Sequence, residues 1–572
     1  MGHPRSGSRR ISSQPSPASF ADSVSAGVRE LLHDAEIAGL RGDTDRAQSL
    51  LVEGAAGLPV GPAHDGDRVA IGELSMAIRN WSSEVAEGSA FFDRLITEVT
   101  TPRARGALLF HRGRGSMPGE RGQFLTQALD EFTIAGDDRG RAVALGQMSW
   151  PTESMLGAEH RLRVGQEGLA LARALDDPWA IAFCAGRLAG AEAYLGMVEA
   201  LDHWRMATMA LPASTDPFTA EIGAINQYNW GLTLFAHGEY ADAVRVLGEG
   251  RSLAHGAGWG ARYDEALALV AWRSGDAVVA RRRAESALSR PGRGASAVAA
   301  VVLSALDLET QRQPTTTRVD GAVPRLQFDH QMRWLAQSVQ GMIRQARREP
   351  TPFRDLTAAL QQAGRLNIRM GWEDLLLTIA LHDPRLAEDW LDRVAELWPD
   401  YPRGVAMRQA VEGLVAGPPG APGLVSAAET FAAFPEPHTA GQLLHAAARL
   451  ASTVAEGNAL RRRALELFTA AGSERALARV LRDRTLHRGS ATPRIPASQH
   501  GAPSAGLTPR EREVAQLAAW GLTAQEIADE LHISVQTARH HVLRVREKFG
   551  GVPKRKLALL LAAQGQPGPL DD

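Results

Sequence analysis

Apolar residues recur at three- and four-residue steps through most of the chain, from Phe20 to Leu486. Ala, Leu, Arg and Glu dominate these stretches, and runs of β-branched residues are few. Such spacing places the apolar side chains along one face of an α-helix. The pattern therefore predicts an all-α region built from many amphipathic helices.

One unit of this pattern recurs, namely a helix, a short turn with Gly or Gly-Asp, and a second helix. The glycine closes the first helix, and a small residue lets the second helix pack near it. One unit resembles a tetratricopeptide unit at four positions. Leu234 precedes the turn, and Gly238, Tyr240 and Ala243 stand about where such a unit places its turn glycine, its aromatic and its small packing residue. The six stretches that carry the pattern are residues 38–51, 128–145, 191–204, 232–247, 268–288 and 464–481.

We therefore predict a tetratricopeptide-like α-solenoid or helix-pair stack, with a non-repetitive helical domain as the alternative. Such stacks usually present a concave binding surface rather than a catalytic centre. Residues 310–324 and 417–423 interrupt the helical pattern and predict loops or subdomain breaks. The apolar run at 295–306 is too short to cross a bilayer and predicts a buried helix.

Composition divides the chain further. Residues 1–20 are basic and rich in Ser and Pro, without the apolar segment of a secretory signal, and predict a disordered tail. Residues 488–506 are rich in Pro, Gly, Ser and Ala and predict a flexible linker. The predicted boundaries are thus a helical-repeat region at 21–487, a small domain at 507–564 and a tail at 565–572.

The small domain begins with a strong helix-start signal. Thr508 stands at the N-cap, Pro509 at the first helical position and Glu511 three residues after the cap, which together form a capping box. Leu507 before the cap can pack back onto the helix. The predicted inner face consists of Val514, Leu517 and Ala518, and Gly521 ends the helix.

Two more helix starts follow at short intervals. Thr523 with Glu526 caps a second helix, and Ser534 caps a third. A tight turn between two short helices needs small residues where they cross. Ala528 and Ala538 meet that need, with Ile533 as the apolar residue of the turn, and this is helix-turn-helix spacing. The remaining inward positions are Ile527, Leu531, Val535, Val542 and Val545.

The opposite face of the third helix is rich in hydrogen-bond donors, as a helix in a DNA major groove requires. The helix starts at Thr508, Thr523 and Ser534 could each direct backbone N–H groups at phosphate. The side chains on this face and its edges are Gln536, Arg539, His540, Leu543, Arg544 and Arg546.

The motif "LTPREREV" and the spaced residues of "GLT--EIA--L-IS--T-R-H" identify residues 507–563 as resembling the LuxR-type DNA-binding domain, a four-helix output module of bacterial regulators. The resemblance implies a recognition helix at 534–548 and a fourth, dimerising helix at 554–563. It also implies residue roles. The implied base-edge readers are Arg539, His540 and Leu543; the implied phosphate contacts are Thr537 and His541; further basic residues near the phosphates are Lys548, Lys554, Arg555 and Lys556.

The sequence departs from that family at a few positions. Ala538 stands where the family usually has valine, and His540 and Leu543 are unusual groove residues. Gly551 and Lys556 replace the usual valine and acid before the fourth helix. These departures concern the DNA target and the dimer contacts rather than the fold.

Charge and residue usage exclude several classes of protein. The net charge of −2 gives no overall attraction to nucleic acid, so any attraction is local. The three lysines, Lys548, Lys554 and Lys556, all lie near the C-terminus, so residues 1–547 cannot supply the lysine of a phosphate-binding loop, a kinase or a Schiff base. The single cysteine, Cys184, excludes an intrachain disulfide and a zinc site of several thiolates. No cofactor or metal is expected.

Other features have ordinary structural interpretations. Tyr263 and Trp272 are predicted to be core residues rather than part of a ligand site. The arginine triplets at 281–283 and 461–463 are predicted to be exposed helix faces. Adjacent helix positions point apart, so His540 and His541 do not predict a metal pair.

The sequence therefore predicts a bacterial, cytoplasmic transcription regulator that is not an enzyme. The C-terminal domain would bind the major groove sequence-specifically, under the control of a ligand or protein at the helical repeats. The predicted partners are double-stranded DNA, RNA polymerase if the protein activates, an unidentified effector or protein, and a second copy of the chain on DNA, but no membrane. The alternative is a helical interaction scaffold with only nonspecific DNA binding; an enzyme with scattered catalytic groups ranks third.

Overall fold

The structure is a computed structural model. It describes residues 23–82, 89–116, 118–150, 157–211, 217–253, 257–289, 297–310, 315–326, 330–366, 368–482, 507–519, 524–531 and 533–548. Within these ranges the regular elements are helices and no strand occurs, so the all-α prediction is confirmed. The predicted tail, the linker and the fourth helix of the small domain lie outside the described residues.

The α-helices are numbered in chain order. Their bounds are α1 Ala26–Leu40, α2 Thr44–Ala56, α3 Asp65–Ser82, α4 Ser89–Glu98, α5 Pro102–Arg114, α6 Pro118–Ala135, α7 Asp138–Ser149, α8 Ala158–Ala174, α9 Pro178–Tyr194, α10 Glu199–Ala210, α11 Pro217–His237, α12 Tyr240–Leu253, α13 Ala257–Arg273, α14 Ala277–Ser289, α15 Ala297–Thr310, α16 Thr317–Ala322, α17 His330–Ala346, α18 Arg354–Leu366, α19 Glu373–Ala380, α20 Pro384–Leu391, α21 Pro402–Ala416, α22 Ala421–Ala433, α23 Pro437–Leu450, α24 Val454–Ala470, α25 Glu474–Arg482, α26 Pro509–Ala519, α27 Ala524–Glu530 and α28 Val535–Lys548. Short 3-10 helices lie at Pro62–His64, Val323–Leu326, Asp392–Leu397 and Pro418–Gly420.

Consecutive helices pair through glycine turns, as the repeated pattern predicts. Gly238, between α11 and α12, has a φ of +89°, a left-handed conformation that glycine adopts without steric cost. Tyr240 and Ala243 beyond it are buried against the preceding helix. The glycines of the other five predicted turns are also left-handed: Gly42, Gly136, Gly196, Gly275 and Gly472.

The buried apolar residues of this helical stack form two large clusters. The first core extends from Val24 in the chain to Ile343 and includes the apolar helix α15, which is buried as predicted. The second core extends from Trp334 to Val480. The two cores meet at α17, which contributes residues to both.

A buried network of ion pairs and hydrogen bonds joins the helices of the first core to the helices of the second core. Arg403 on α21 is 3% exposed and donates to Glu436 at 2.7 Å and to Asp374 at 3.3 Å. The Tyr240 hydroxyl on α12 donates to the same Glu436 carboxylate at 2.6 Å, and Arg273 on α13 pairs with Asp374 at 2.9 Å. We call these five residues the joint network.

The two predicted interruptions are largely helical. Within 310–324, α16 forms because Val319 and Ala322 are buried against α15, which outweighs the polar sequence around them. In the second stretch Gly417 ends α21 with a φ of +67°, and α22 begins at Ala421 with proline in its first turn, where proline is tolerated. This segment is a turn between paired helices rather than a subdomain break.

One prediction about the arginine triplets is wrong. Arg461 is 3% exposed, and its guanidinium donates to the carbonyl of Ala448, so it belongs to the interior. Arg281 and Arg283 are half-buried and pair with Asp307 and Asp264. Arginine can be buried where carboxylates or carbonyls accept its N–H groups, which the sequence pattern alone does not reveal.

In the described part of the chain no helix combines the length and the apolar character that crossing a membrane would require.

Candidate nucleic-acid interface

Helices α26, α27 and α28 enclose a small apolar core of their own. Its buried residues are Leu507, Val514, Ala515, Leu517, Ala518, Ile527, Ala528, Ala538 and Val545. All of them except Ala515 were predicted from the helix pattern. Leu531, Ile533, Val535 and Val542 pack against them while partly exposed. The predicted inner faces of these three helices are confirmed.

Both of the helix caps that can be described have the predicted geometry. Thr508 Oγ1 accepts from the Glu511 N–H at 3.2 Å, and the Glu511 carboxylate accepts from the Thr508 N–H at 2.8 Å. This reciprocal pair is a capping box. At the start of α28, Ser534 Oγ accepts from the Thr537 N–H at 3.1 Å.

The turn between α27 and α28 is closed by backbone and side-chain contacts. The Ile533 N–H donates to the Ala528 carbonyl at 3.0 Å, and Arg510 donates to the Leu531 carbonyl at 2.7 Å. Ala528 is 2% exposed and Ala538 is completely buried, so the two helices cross at small residues. These contacts fix the direction in which α28 leaves the domain. The role of Arg510 was not predicted, because its partner lies 21 positions away.

The outward face of α28 is exposed over its full length. Leu543 is 51% exposed and belongs to this outward face. Among the described residues, neither Arg539 nor Arg544 has an ion-pair partner. The exposed predicted contacts are Ser534, Gln536, Thr537, Arg539, His540, Leu543, Arg544 and Lys548, and His541 and Arg546 are half-buried.

Three predicted contact residues have additional features. The Thr537 hydroxyl lies 2.7 Å from that of Ser534, so the two hydroxyls share a hydrogen bond at the helix start. The Nδ1 atom of His541 is buried without a hydrogen-bond partner in the part of the chain that the structure describes. Lys548 pairs with Glu511 at 2.7 Å, and this contact was not predicted. The predicted contacts Thr523, Lys554 and Arg555 lie outside the described residues.

The Lys548–Glu511 ion pair ties the end of α28 to the start of α26. The ammonium group of Lys548 and the backbone N–H of Thr508 lower the pKa of Glu511 to about 2. The charged carboxylate is therefore favoured in the folded domain. Its contribution to stability is present above the ordinary pKa of 4.5 and is lost as the pH falls toward 2.

We expect the α26–α28 domain to lose stability between pH 4.5 and pH 2, and Glu511→Gln to remove part of that loss. Hydrogen–deuterium exchange of the α26 and α28 amides in the full chain measures this loss of stability at each pH, after correction for the pH dependence of the intrinsic exchange rate. Glu513→Gln is the matched control, since Glu513 is 54% exposed and pairs with Arg510 on the same helix. An identical pH profile in Glu511→Gln and the unmodified chain would contradict the assignment.

A metal centre has no support in this geometry. Over the described ranges, no group of three or more His, Cys, Asp or Glu side chains is placed to share a metal ion. Helix α28 instead carries four basic side chains, of Arg539, Arg544, Arg546 and Lys548, against the one acidic side chain of Glu547.

Residues 505–561 match the model of a family described as bacterial regulatory proteins, luxR family. The transcriptional activator protein BjaR1 of Bradyrhizobium diazoefficiens is 47% identical over 60 residues, which are 10% of this chain and 24% of that protein. The spore germination protein GerE of Bacillus subtilis is 38% identical over 60 residues, which are 10% of this chain and 81% of that protein. This chain thus spans about a quarter of the first relative and about four fifths of the second.

The likeness of the chain to solved structures is much weaker than this family match. A solved structure described as a circular tandem repeat protein covers 81% of this chain and 89% of its own length, at 12% identity and a TM-score of 0.13. So low a score carries no argument about the fold. The family match, by contrast, coincides with the capped helices α26 to α28 and with the helix-turn-helix geometry described above. The chain belongs to the luxR family of bacterial regulatory proteins, whose DNA-binding transcription regulator domain it carries at residues 505–561.

Proposed function

We propose that this protein is a transcription regulator that reads a specific DNA sequence with α28, under the control of a molecule bound by the helical stack. The exposed face of α28 carries the proposal. It presents Gln536, Arg539, His540 and Leu543 along one side of a helix whose other side is anchored by Ala538 and Val545. A helix anchored in this way can enter a major groove as a rigid body.

The side chains on this face divide into two proposed roles. Arginine can donate two hydrogen bonds to guanine, glutamine can pair with adenine, and an exposed apolar side chain can contact a thymine methyl group. Arg539, Gln536 and Leu543 are the proposed readers, together with His540. The start of α28 at Ser534, with Thr537, His541 and Arg544, is proposed to face phosphate. Thr523, Arg546, Lys548, Lys554 and Arg555 would add to this phosphate contact.

The proposed assembly is a dimer on DNA. Two recognition helices would then enter successive major grooves about one helical turn apart. The segment at 554–563 is the proposed dimer contact. RNA polymerase is the proposed further partner if the protein activates transcription.

We expect affinity for the target DNA to fall steeply with salt, because each neutralised phosphate contributes roughly −0.9 to the slope of log K against log salt. Arg544→Ala should reduce the magnitude of that slope by about 1 for each bound protomer without changing base preference. Fluorescence anisotropy with a labelled duplex between 50 and about 300 mM salt measures both. Arg408→Ala, an exposed arginine of the helical stack, is the control. A slope unchanged by Arg544→Ala would contradict the proposed phosphate contact.

A further inference from the structure

A cavity of about 370 Å³ lies in the helical stack, far in sequence from the DNA-binding helices. Helices α13, α14, α15, α17, α19 and α23 line it, together with the turn between α24 and α25. Its volume is within the range of roughly 300–1,000 Å³ that is typical of small-molecule sites. The cavity is therefore large enough for a small organic molecule.

The lining is mainly apolar, with balanced charges among its polar groups. Three arginines, Arg273, Arg281 and Arg282, stand against the three carboxylates of Glu285, Glu309 and Asp374. A cavity without excess charge does not favour a phosphorylated or otherwise polyanionic ligand. The apolar contacts include Trp272, Leu306, Leu308, Leu335, Met342 and Leu377.

Trp272 packs against the first core, as its sequence-based interpretation predicts, and it also lines the cavity. The pattern also predicts a core residue at Tyr263, which has 0% exposure. Trp272 is half-buried and forms part of the cavity wall. An aromatic side chain there can provide a stacking surface for a ring or a face for an aliphatic chain.

Ser338 and Glu309 each place on the lining a buried oxygen that no hydrogen-bond partner among the described residues satisfies. Ser338 is 2% exposed, and its hydroxyl has no hydrogen-bond partner within the described ranges. The Oε2 atom of Glu309 is likewise buried without a partner there, while its Oε1 atom lies 3.9 Å from His438 Nε2. Buried polar groups in folded proteins are normally paired, so unpaired ones that line a cavity indicate a ligand that pairs with them.

The cavity also bridges the two cores. Arg273 and Asp374 of the joint network line it, and their ion pair of 2.9 Å links α13 to α19. Leu306 and Leu335 belong to the first core, and Leu377 belongs to the second. A molecule in the cavity would touch both cores at once, and it would stabilise the one relative placement that fits it.

We propose that this cavity binds a small molecule with a mainly apolar body and one hydrogen-bond donor, a hydroxyl or an N–H group. The Glu309 carboxylate accepts the hydrogen bond from this donor. Ser338 provides a second hydrogen bond, and Trp272 packs on the apolar body. Control of DNA binding by this site rests on the function proposed above, whereas binding of the small molecule does not.

The test uses N-phenyl-1-naphthylamine, an apolar fluorophore with one N–H donor, whose emission rises in apolar surroundings. Titrated into the full chain, it should show saturable binding. Ala277→Trp, which fills the half-buried rim of the cavity, should weaken that binding at least about tenfold by steric exclusion. Ser338→Ala should weaken it roughly threefold to tenfold. Ser304→Ala is the matched control, since Ser304 is buried on α15 and bonded to the Ala300 carbonyl.

A competitor of the same shape without the donor, 1-benzylnaphthalene, should bind about tenfold more weakly than N-phenyl-1-naphthylamine, as its displacement of the bound probe measures. That difference should shrink in Glu309→Gln, whose amide is a weaker acceptor. Circular dichroism melting of each variant shows whether it is folded. Absence of saturable binding, or probe binding unchanged by Ala277→Trp, would overturn the proposal. So would 1-benzylnaphthalene that binds as tightly as the probe.

The regulatory consequence has its own readout. Once an operator sequence is known, a saturating concentration of the probe should change the affinity of the full chain for that DNA at least about threefold. Unchanged affinity with the probe bound would overturn regulation through this cavity. A chain that selects no operator at all would instead overturn the proposed function, and the probe titration would still decide whether the cavity is a binding site.

Discussion

Arg403→Met is expected to lower the free energy of unfolding of the helical stack by about 3–5 kcal/mol, because it leaves the buried carboxylate of Glu436 without its cation. Burial alone would lower the pKa of Arg403, but the carboxylates of Glu436 and Asp374 hold it well above its ordinary value. Both carboxylates accept hydrogen bonds from Arg403, which is 3% exposed. Chemical denaturation followed by circular dichroism measures the loss.

Arg408→Met on the same helix α21 is the matched control. Arg408 is half-exposed and pairs with Glu412 at 2.7 Å, and exposed ion pairs are worth only about 0–1 kcal/mol. The two variants lose the same charge and gain the same side chain. Equal shifts of the unfolding midpoint in both would show that the joint network contributes nothing beyond an ordinary surface pair.

Ala538→Glu is expected to unfold the α26–α28 domain and to abolish DNA binding. Ala538 is completely buried where α27 and α28 cross, so the larger side chain cannot fit without moving a helix. Overpacking costs about 1–3 kcal/mol, and an unpaired buried carboxyl group adds a further cost of similar size. A domain this small has little stability to lose.

Hydrogen–deuterium exchange of α26 to α28 in the full chain measures this effect, alongside anisotropy with labelled DNA. Ala538→Ser, which keeps the volume nearly constant, should retain both protection and binding. The stack should unfold at its usual midpoint in both variants. Protected α28 amides in Ala538→Glu would show that the crossing is looser than the structure indicates.

Local features of the fold could be predicted from the sequence. The capping box at Thr508 and Glu511 and the left-handed glycine at Gly238 depend on residues a few positions apart, whose chemistry decides the backbone geometry. The inward positions of α28 follow from helical spacing in the same way. The exposure of Arg539 then follows, because helical spacing places it outside the buried face that contains Ala538 and Val545.

Features that join distant residues could not be predicted. Tyr240 and Glu436 are 196 positions apart, and no local pattern marks them as partners. The Lys548–Glu511 pair spans 37 positions and gives a predicted DNA contact a second, structural role. Burial of Arg461 and the cavity beside Trp272 likewise depend on how separate helices stack. Such contacts are decided by tertiary packing.

Selection of bound sites from random duplex DNA by the full chain tests most directly whether α28 reads a sequence. Arg539→Ala is selected in parallel, with Arg408→Ala as a control. We expect one roughly symmetric motif for the unmodified chain and the control. In Arg539→Ala the preference should weaken at particular base pairs by about 1–3 kcal/mol each, while the rest of the motif persists. No enriched motif, or an Arg539→Ala motif that is equally sharp at every position, would contradict sequence reading by this helix.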